Sequence, residues 1–239
     1  MSDMTSDFGF GDGDRNFTGR STRFKAEANQ RYRISFAWWP GVEEGTPNFE
    51  AETPKFKGGK RIYIPGVGYI FDKGPEYARF SKDGSRTAIA TAVIVWPTLS
   101  NGKLDADLFK RDGGQVMTWV FGVDKYKQIE PNHVQHPFGT NDLIITCTDS
   151  QYQKMSFVSA PDNLFREVVE GKFAKKMQGR GADLMSDVQG LVGNITGEIA
   201  RDMTLDQIRE KMGGATTTPV DDNGSVGDVD DMLSDLLDD

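Results

Sequence analysis

The sequence predicts a mainly β protein with its helices gathered toward the C-terminus, an α+β chain, and three observations predict it. Of 25 aromatic residues, 21 lie between Phe17 and Phe157, so the large rings that build a core are confined to the first two thirds of the chain. Within that zone apolar residues recur with period two, the spacing of strands. After Ala160 the spacing becomes that of a helix.

The elements follow in order. Residues 1–19 are rich in Gly, Ser, Asp and Asn and read as a disordered leader. Arg31–Trp39 alternates, with Tyr32, Ile34, Phe36 and Trp38 on one face. Trp38 and Trp39 cannot both point inward on a regular strand, so one is a platform or a packing contact under a loop. Arg61–Phe71 alternates but is cut by Pro65, which makes it an edge or a bent pair. Thr87–Trp96 is β-branched and nearly continuous, the pattern of a strand buried on both faces. Gln115–Gly122 sets Val116, Thr118 and Val120 against Met117, Trp119 and Phe121. Leu143–Thr148 and Tyr152–Val158 flank Asp149-Ser150, a hairpin turn. Five or six short antiparallel strands with long insertions suggest a small Greek-key barrel spanning residues 20–160.

The helical segment, 161–212, begins with Asp162 as the cap of a helix running to about residue 177, with Leu164, Phe165, Val168, Val169 and Phe173 on its apolar face. Leu184, Val188, Leu191, Val192, Ile195 and Ile199 continue at helical spacing, weakened by Gly190 and Gly193. Thr204 and Gln207 form a capping-box pattern, and Gly213 ends that last helix.

Residues 213–239 form a second kind of chain. GGATTTPVDDNGSVG cannot hold a helix, whereas in DVDDMLSDLLDD the apolar Val229, Met232, Leu233, Leu236 and Leu237 make one helical stripe among Asp228, Asp230, Asp231, Asp235, Asp238 and Asp239. Aspartates at the C-terminal pole oppose the helix dipole, so this tip is expected to be a flexible acidic tail that orders when a partner covers its stripe. The segment carries eight Asp and no base, while the whole chain has a net charge of −8. Residues 1–212 are therefore balanced, and residues 15–86, with fourteen bases against eight acids, are basic. An acidic composition conceals a basic body.

Other classes are disfavoured. The longest apolar run, roughly Ala88–Trp96, is too short to span a bilayer, and MSDMTSDFGFGDGD lacks the basic-then-apolar order of a signal peptide. A single cysteine, Cys147, rules out an internal disulfide and fits a reducing cytoplasm. His133, His136 and Cys147 supply at most three ligands of a zinc site that needs four, with Pro131, Pro137 and Gly139 suggesting an irregular loop around them. No metal or cofactor is expected. No nucleophile–base pair stands out and no acid–base carboxylates can be assembled, so the chain is expected not to be an enzyme. A nuclease would need clustered carboxylates for a divalent ion, which the sequence does not supply.

The remaining chemistry is a texture of rings interleaved with cations: Arg31-Tyr32-Arg33, Lys55-Phe56-Lys57, Lys125-Tyr126-Lys127, and the run from Tyr69 to Lys82. Unpaired nucleic acid offers bare base faces, on which rings stack, and a phosphate at every step, which cations track. The plainer reading makes these rings barrel core and these cations solvated.

Several stretches resemble a known family. Thr87–Trp96 (TAIATAVIVW), the turn Leu99–Lys103 (LSNGK) and Val116–Ile129 (VMTWVFGVDKYKQI) are similar to the helix-destabilising, single-stranded-DNA-binding proteins of T-even-like tailed phages. In that family a hydrophobic strand is followed by a turn, a strand ending in aromatic-x-Phe-Gly, and a short helix carrying an aromatic and an Ile. Trp119, Phe121, Gly122, Tyr126 and Ile129 fill those places here. Pro137–Arg166 matches the next strand pair more loosely, Arg31–Pro40 resembles the first barrel strand, and the Asp-flanked Leu-Leu of the tail is shared. The likeness covers about 31–166 and the tip. The family's zinc-binding cysteine cluster is absent before Thr87, Val120, Val123 and Asp124 stand where the family has bases, and Arg20-Ser21-Thr22-Arg23 is the nearest thing to its basic N-terminal arm.

The resemblance implies an OB-like barrel that binds single-stranded DNA without reading sequence, in phage DNA replication, recombination and repair, inside the bacterial host cytoplasm. It also implies self-association on DNA and a tail (Val229 to Asp239) that covers the groove and recruits replication and recombination proteins. The residues expected to stack are Tyr63, Tyr69, Phe71, Tyr77, Trp119 and Tyr126, those expected to meet phosphates are Lys57, Lys60, Arg61, Arg79, Lys82, Arg86, Lys125 and Lys127, and Phe56 is expected to join the nucleic-acid-binding set. The family match supports Arg86, Trp119 and Tyr126, and the rest come from texture. The competing expectation is a protein–protein adaptor or scaffold with no nucleic-acid affinity.

Overall fold

The computed structural model describes residues 22–99, 103–148, 154–173 and 180–213. The tail residues Val229–Asp239, the leader and the 149–150 turn lie outside the described residues. The chain divides into two compact units, Met1–Met203 and Thr204–Asp239.

The first unit is built on one mainly antiparallel sheet. Its strands are β1 (Thr22–Arg23), β2 (Arg31–Phe36), β3 (Lys57–Ile64), β4 (Gly68–Phe71), β5 (Arg86–Trp96), β6 (Gln115–Gly122), β7 (Leu143–Cys147) and β8 (Met155–Ser159). They lie in the open order β1-β6-β5-β2-β7-β8, with β3 on β5 and β4 on β3. Among the described strands only β1 runs parallel to its neighbour. The sequence expected five or six strands. The extra ones are the two-residue β1 and the division of Arg61–Phe71 into the bent pair β3–β4, turned by Pro65 and by Gly66 at φ 75°.

The long strand β5 organises the rest. One of its edges carries β6 from Ala88 to Val95, while the other is shared: Val93–Trp96 pair with β2 and Arg86–Ala90 with β3. Both of its faces are covered, as its continuous apolar run predicts. On one face Ala88 and Ala90 lie against Ile195, Ile199 and Ala200 of the C-terminal helical segment. The small alanines let that helix, α5 (Arg180–Ile199), approach closely. Its buried stripe is the one predicted, from Leu184 through Val188, Leu191, Val192 and Ile195 to Ile199. On the other face Phe36, Trp119, Phe121, Phe56 and Phe138 form an aromatic interior.

Short helices α1 (Pro75–Ala78) and α2 (Ala106–Asp112) were not foreseen. α3 (Val123–Gln135) corrects the expected irregular loop: the helix continues through Pro131 and carries His133. Lys127 and Pro131 are exposed, so the carbonyl left without an amide by the proline can turn to water. α4 (Leu164–Val169) is shorter than predicted and is capped by Asn163, whose side chain accepts from the Arg166 amide at 2.9 Å, and not by Asp162. Gly171, at φ 79°, follows its end. In the second unit, α6 (Leu205–Lys211) has the predicted capping box between Thr204 and Gln207.

Arg33 and Ser35, on the polar face of β2, are buried rather than solvated. Arg33 donates to Asp142 at 2.7 Å and to Asp162 at 2.6 Å. Ser35 Oγ donates to Asp142 and accepts from Trp96 Nε1 at 2.7 Å and from the Phe165 amide at 3.3 Å. The Leu164 amide also meets both Asp142 oxygens at 3.3 Å. Asp142 and Ser35 together thus tie β2, β5 and α4 to the start of β7.

Gly139 allows another close approach. A Cβ there would lie 1.9 Å from the Phe49 carbonyl oxygen, a backbone atom that cannot rotate aside. Gly139→Ala should lower stability by about 1–3 kcal/mol through overpacking. The midpoint of urea unfolding measures this, and an unchanged midpoint would contradict the steric account.

Candidate nucleic-acid interface

The regular register of β3, β4, β5 and β6 sorts the expected site residues onto two faces of the sheet. Lys57, Arg61, Tyr63, Tyr69, Phe71 and Arg86 lie on the face that carries α5. Phe56, Lys60 and Trp119 lie on the opposite, aromatic face, where α3 brings Tyr126.

On the α5 face, Tyr63 and Tyr69 are cross-strand partners and are 45% and 41% exposed. Their ring centroids are 5.2 Å apart at 59°. The Arg61 guanidinium lies 3.9 Å from the Tyr69 ring centroid and donates to the Ile199 carbonyl at 2.9 Å. Burial holds Arg61 below its ordinary pKa, opposed by Tyr69 and reinforced by the like charge of Arg23. Arg86 is directly opposite Arg61 across the β3–β5 ladder. Among the described residues Arg61 has no carboxylate partner, and the nearest for Arg86 is Asp83 at 3.9 Å, both exposed.

Arg201 extends this cationic edge and was not anticipated. Its amide donates to the Tyr69 carbonyl at 3.0 Å, its carbonyl accepts from the Phe71 amide at 3.1 Å, and its guanidinium meets the Val67 carbonyl at 3.2 Å. No local motif marks Arg201, because only the return of the chain after α5 brings it beside β4. Arg23, the end of the expected basic arm, is part of β1 and is bound to Glu198. Arg20 and Ser21 lie outside the described residues.

The remaining residues divide. Trp119 is 4% exposed and is ringed by Phe24, Phe36, Phe121 and Phe157, so no face of it is open to a base. The expectation that it stacks is corrected: it is core, because β6 points it into the aromatic interior. Phe71 is half-buried against the Ala88–Ile199 cluster. Tyr77 is half-buried, with its hydroxyl donating to the Met203 carbonyl at 3.2 Å. Phe56 and Tyr126 are half-buried edge to face, with centroids 5.5 Å apart. Lys125 donates to Gln128 at 3.2 Å and sits 5.7 Å from the Phe157 ring. Lys57, Lys60, Arg79, Lys82 and Lys127 are exposed.

Trp38 and Trp39 separate as their adjacency requires. Trp39 is buried and donates to the Phe36 carbonyl at 2.7 Å, while Trp38 is half-buried and donates to Glu43 at 3.0 Å. Both nitrogens of His133 are engaged: Nδ1 accepts from the Phe138 amide at 3.0 Å, which leaves Nε2–H to donate to the Glu52 carbonyl. Cys147 is buried. Among the described residues no cluster of His, Cys, Asp or Glu is arranged to hold a metal ion, and no helix is long and apolar enough to cross a membrane.

No family model, curated protein or solved structure matches the chain significantly.

Proposed function

We propose that the chain binds single-stranded DNA without sequence readout, as a phage-type protein of DNA replication, recombination and repair. One observation carries the reading: an exposed tyrosine pair flanked by Arg61 and Arg86, two cations opposed across one ladder, with Arg61 paired to no carboxylate among the described residues. A polyanion supplies the counter-charge that Arg61 lacks, and the rings supply stacking of about 1–3 kcal/mol per base. The curl of the sheet supports an OB-like barrel, since Trp119 on β6 and Phe157 on β8 come within 6.5 Å although three strands separate β6 from β8.

In this reading the acidic tail competes with the strand for the cations. A tethered polyanion has an effective concentration of roughly millimolar, and once displaced its striped tip can dock on replication and recombination proteins as a helix in a groove. Deleting residues 214–239 should raise affinity for oligo(dT) and narrow the preference for single strands over duplex. Identical salt titrations of the two forms would reject the competition.

The test of the whole reading is filter binding of poly(dT), poly(U) and duplex across a range of salt. Single strands should bind best, with a log–log slope of about 0.7 per phosphate contact. No retention at low salt would reject it and leave the adaptor reading.

A further inference from the structure

We infer that a bound single strand crosses the open edge of β3 at Gly58, passing from one face of the sheet to the other between Lys57 and Lys60. The inference rests on the proposed binding of single strands and deepens it by giving the strand a path. The candidate contacts lie on two faces: Tyr63, Tyr69, Arg61 and Arg86 on the α5 side, and Lys60, Phe56 and Tyr126 on the other. A path that touches both sets must go round an edge of the sheet.

β3 provides that edge. Residues Lys57–Arg61 pair with β5 on one side. On the other side β4 begins its pairing at Arg61, and the Asp72 amide takes the Lys60 carbonyl at 3.0 Å. Among the described residues no strand covers the outer side of 57–59. Backbone amides on such an edge can donate to phosphate oxygens. Lys57 and Lys60 are exposed and, three residues apart in a strand, project to opposite faces. Neither forms an ion pair with a described residue. Lys60 does lower the Asp72 carboxyl, but only after the Ser85 hydroxyl and the Gly74 amide.

Gly58 marks the crossing point. A glycine inside a strand costs stability and calls for a cause. Gly59 has one, since its Cβ would sit 3.0 Å from the Phe71 ring and 3.3 Å from Ile199. Gly58 has none inside the protein: a Cβ there meets nothing within 4 Å, its φ is not in the left-handed region, and the ladder runs through it without a bulge. What remains is close approach by something from outside. The flanking ammonium groups select a polyanion, here the phosphodiester backbone.

The experiment compares the full chain with Gly58→Ala and Gly58→Val by thermal unfolding and by anisotropy of a labelled dT oligonucleotide at several salt concentrations. Both variants should melt at or above the unsubstituted chain, because a side chain restricts the unfolded state. Gly58→Val should bind about tenfold more weakly, with a salt slope shallower by about 0.7, one phosphate contact, and Gly58→Ala should fall between. Unchanged affinity and slope in Gly58→Val overturn the crossing while leaving single-strand binding intact. A lowered melting point in Gly58→Ala also overturns it, because the glycine then has an internal role. No binding by the unsubstituted chain removes both readings.

Discussion

Asp142→Ala should lower the unfolding free energy by about 3–5 kcal/mol, the cost of leaving a buried partner uncompensated. The carboxylate is fully buried and accepts from Arg33, from Ser35 and from the Leu164 amide. Without it Arg33 keeps only Asp162. The Ser35 hydroxyl and the first amide of α4 lose their acceptor as well. Replacing both partners, Arg33→Met with Asp142→Leu, should recover part of the loss, since paired removal leaves no orphaned buried group. Equilibrium urea unfolding of the single and double variants measures both, and an Asp142→Ala chain as stable as the original would refute the hub.

The same site makes stability depend on pH with a definite sign. Burial pushes Asp142 up to about 7, against the pull of Arg33, Ser35 and the Leu164 amide. Between about pH 4 and pH 7 the folded protein therefore holds a proton that the unfolded chain, with an ordinary aspartate pKa of about 3.9, has released. The group's contribution is complete below that unfolded value and is lost as pH rises through 7. The advantage of the unsubstituted chain over Asp142→Asn should accordingly narrow from pH 4 to pH 7. A constant difference would mean that the carboxyl titrates alike in both states.

Tyr63→Ala and Tyr69→Ala should each weaken oligo(dT) binding by about 5- to 150-fold, the equivalent of about 1–3 kcal/mol per lost stack. Neither ring supports the interior, and their mutual contact is worth about 0.5–1.5 kcal/mol, so the folded chain should survive both changes. Because the two rings touch, the double substitution should cost less than the sum. Phe substitutions should retain most of the affinity, because in the proposed contact the ring and not the hydroxyl would stack. Binding that is indifferent to both alanines would remove these tyrosines from the interface. Tryptophan fluorescence is the poorer probe, because Trp119, Trp39 and Trp96 are all buried.

What was legible in the sequence follows from the range of the interaction that sets it. β5, β6, the β3–β4 pair, the α5 stripe and the Thr204 capping box depend on local period and local hydrogen bonds, and all are where the pattern puts them. The failures are non-local. Alternation correctly set Arg33 and Ser35 apart from Ile34 and Phe36, yet that polar face is buried, because α4 and Trp96 cover it. Pro131 reads as a helix breaker, and only α3 itself reveals a site where the missing amide is tolerated. The candidate interface was half legible for the same reason. Rings and cations are visible as residue types, but which face each takes depends on register. Trp119 and Tyr63 look alike in the sequence, and strand pairing sends one to the interior and the other to the surface.

The closure of the first unit by Arg23 on Glu198 has a consequence during synthesis. The two residues are 175 positions apart, so at about 5–20 residues per second the ribosome needs roughly 10–35 s after the first to deliver the second. Ala90 precedes Ile195 by 105 positions, so for about 5–20 s of that interval the alanine face of β5 has been made and has no α5 to cover it. The nascent chain is therefore most exposed to aggregation, and most open to chaperones, on the side that α5 will seal.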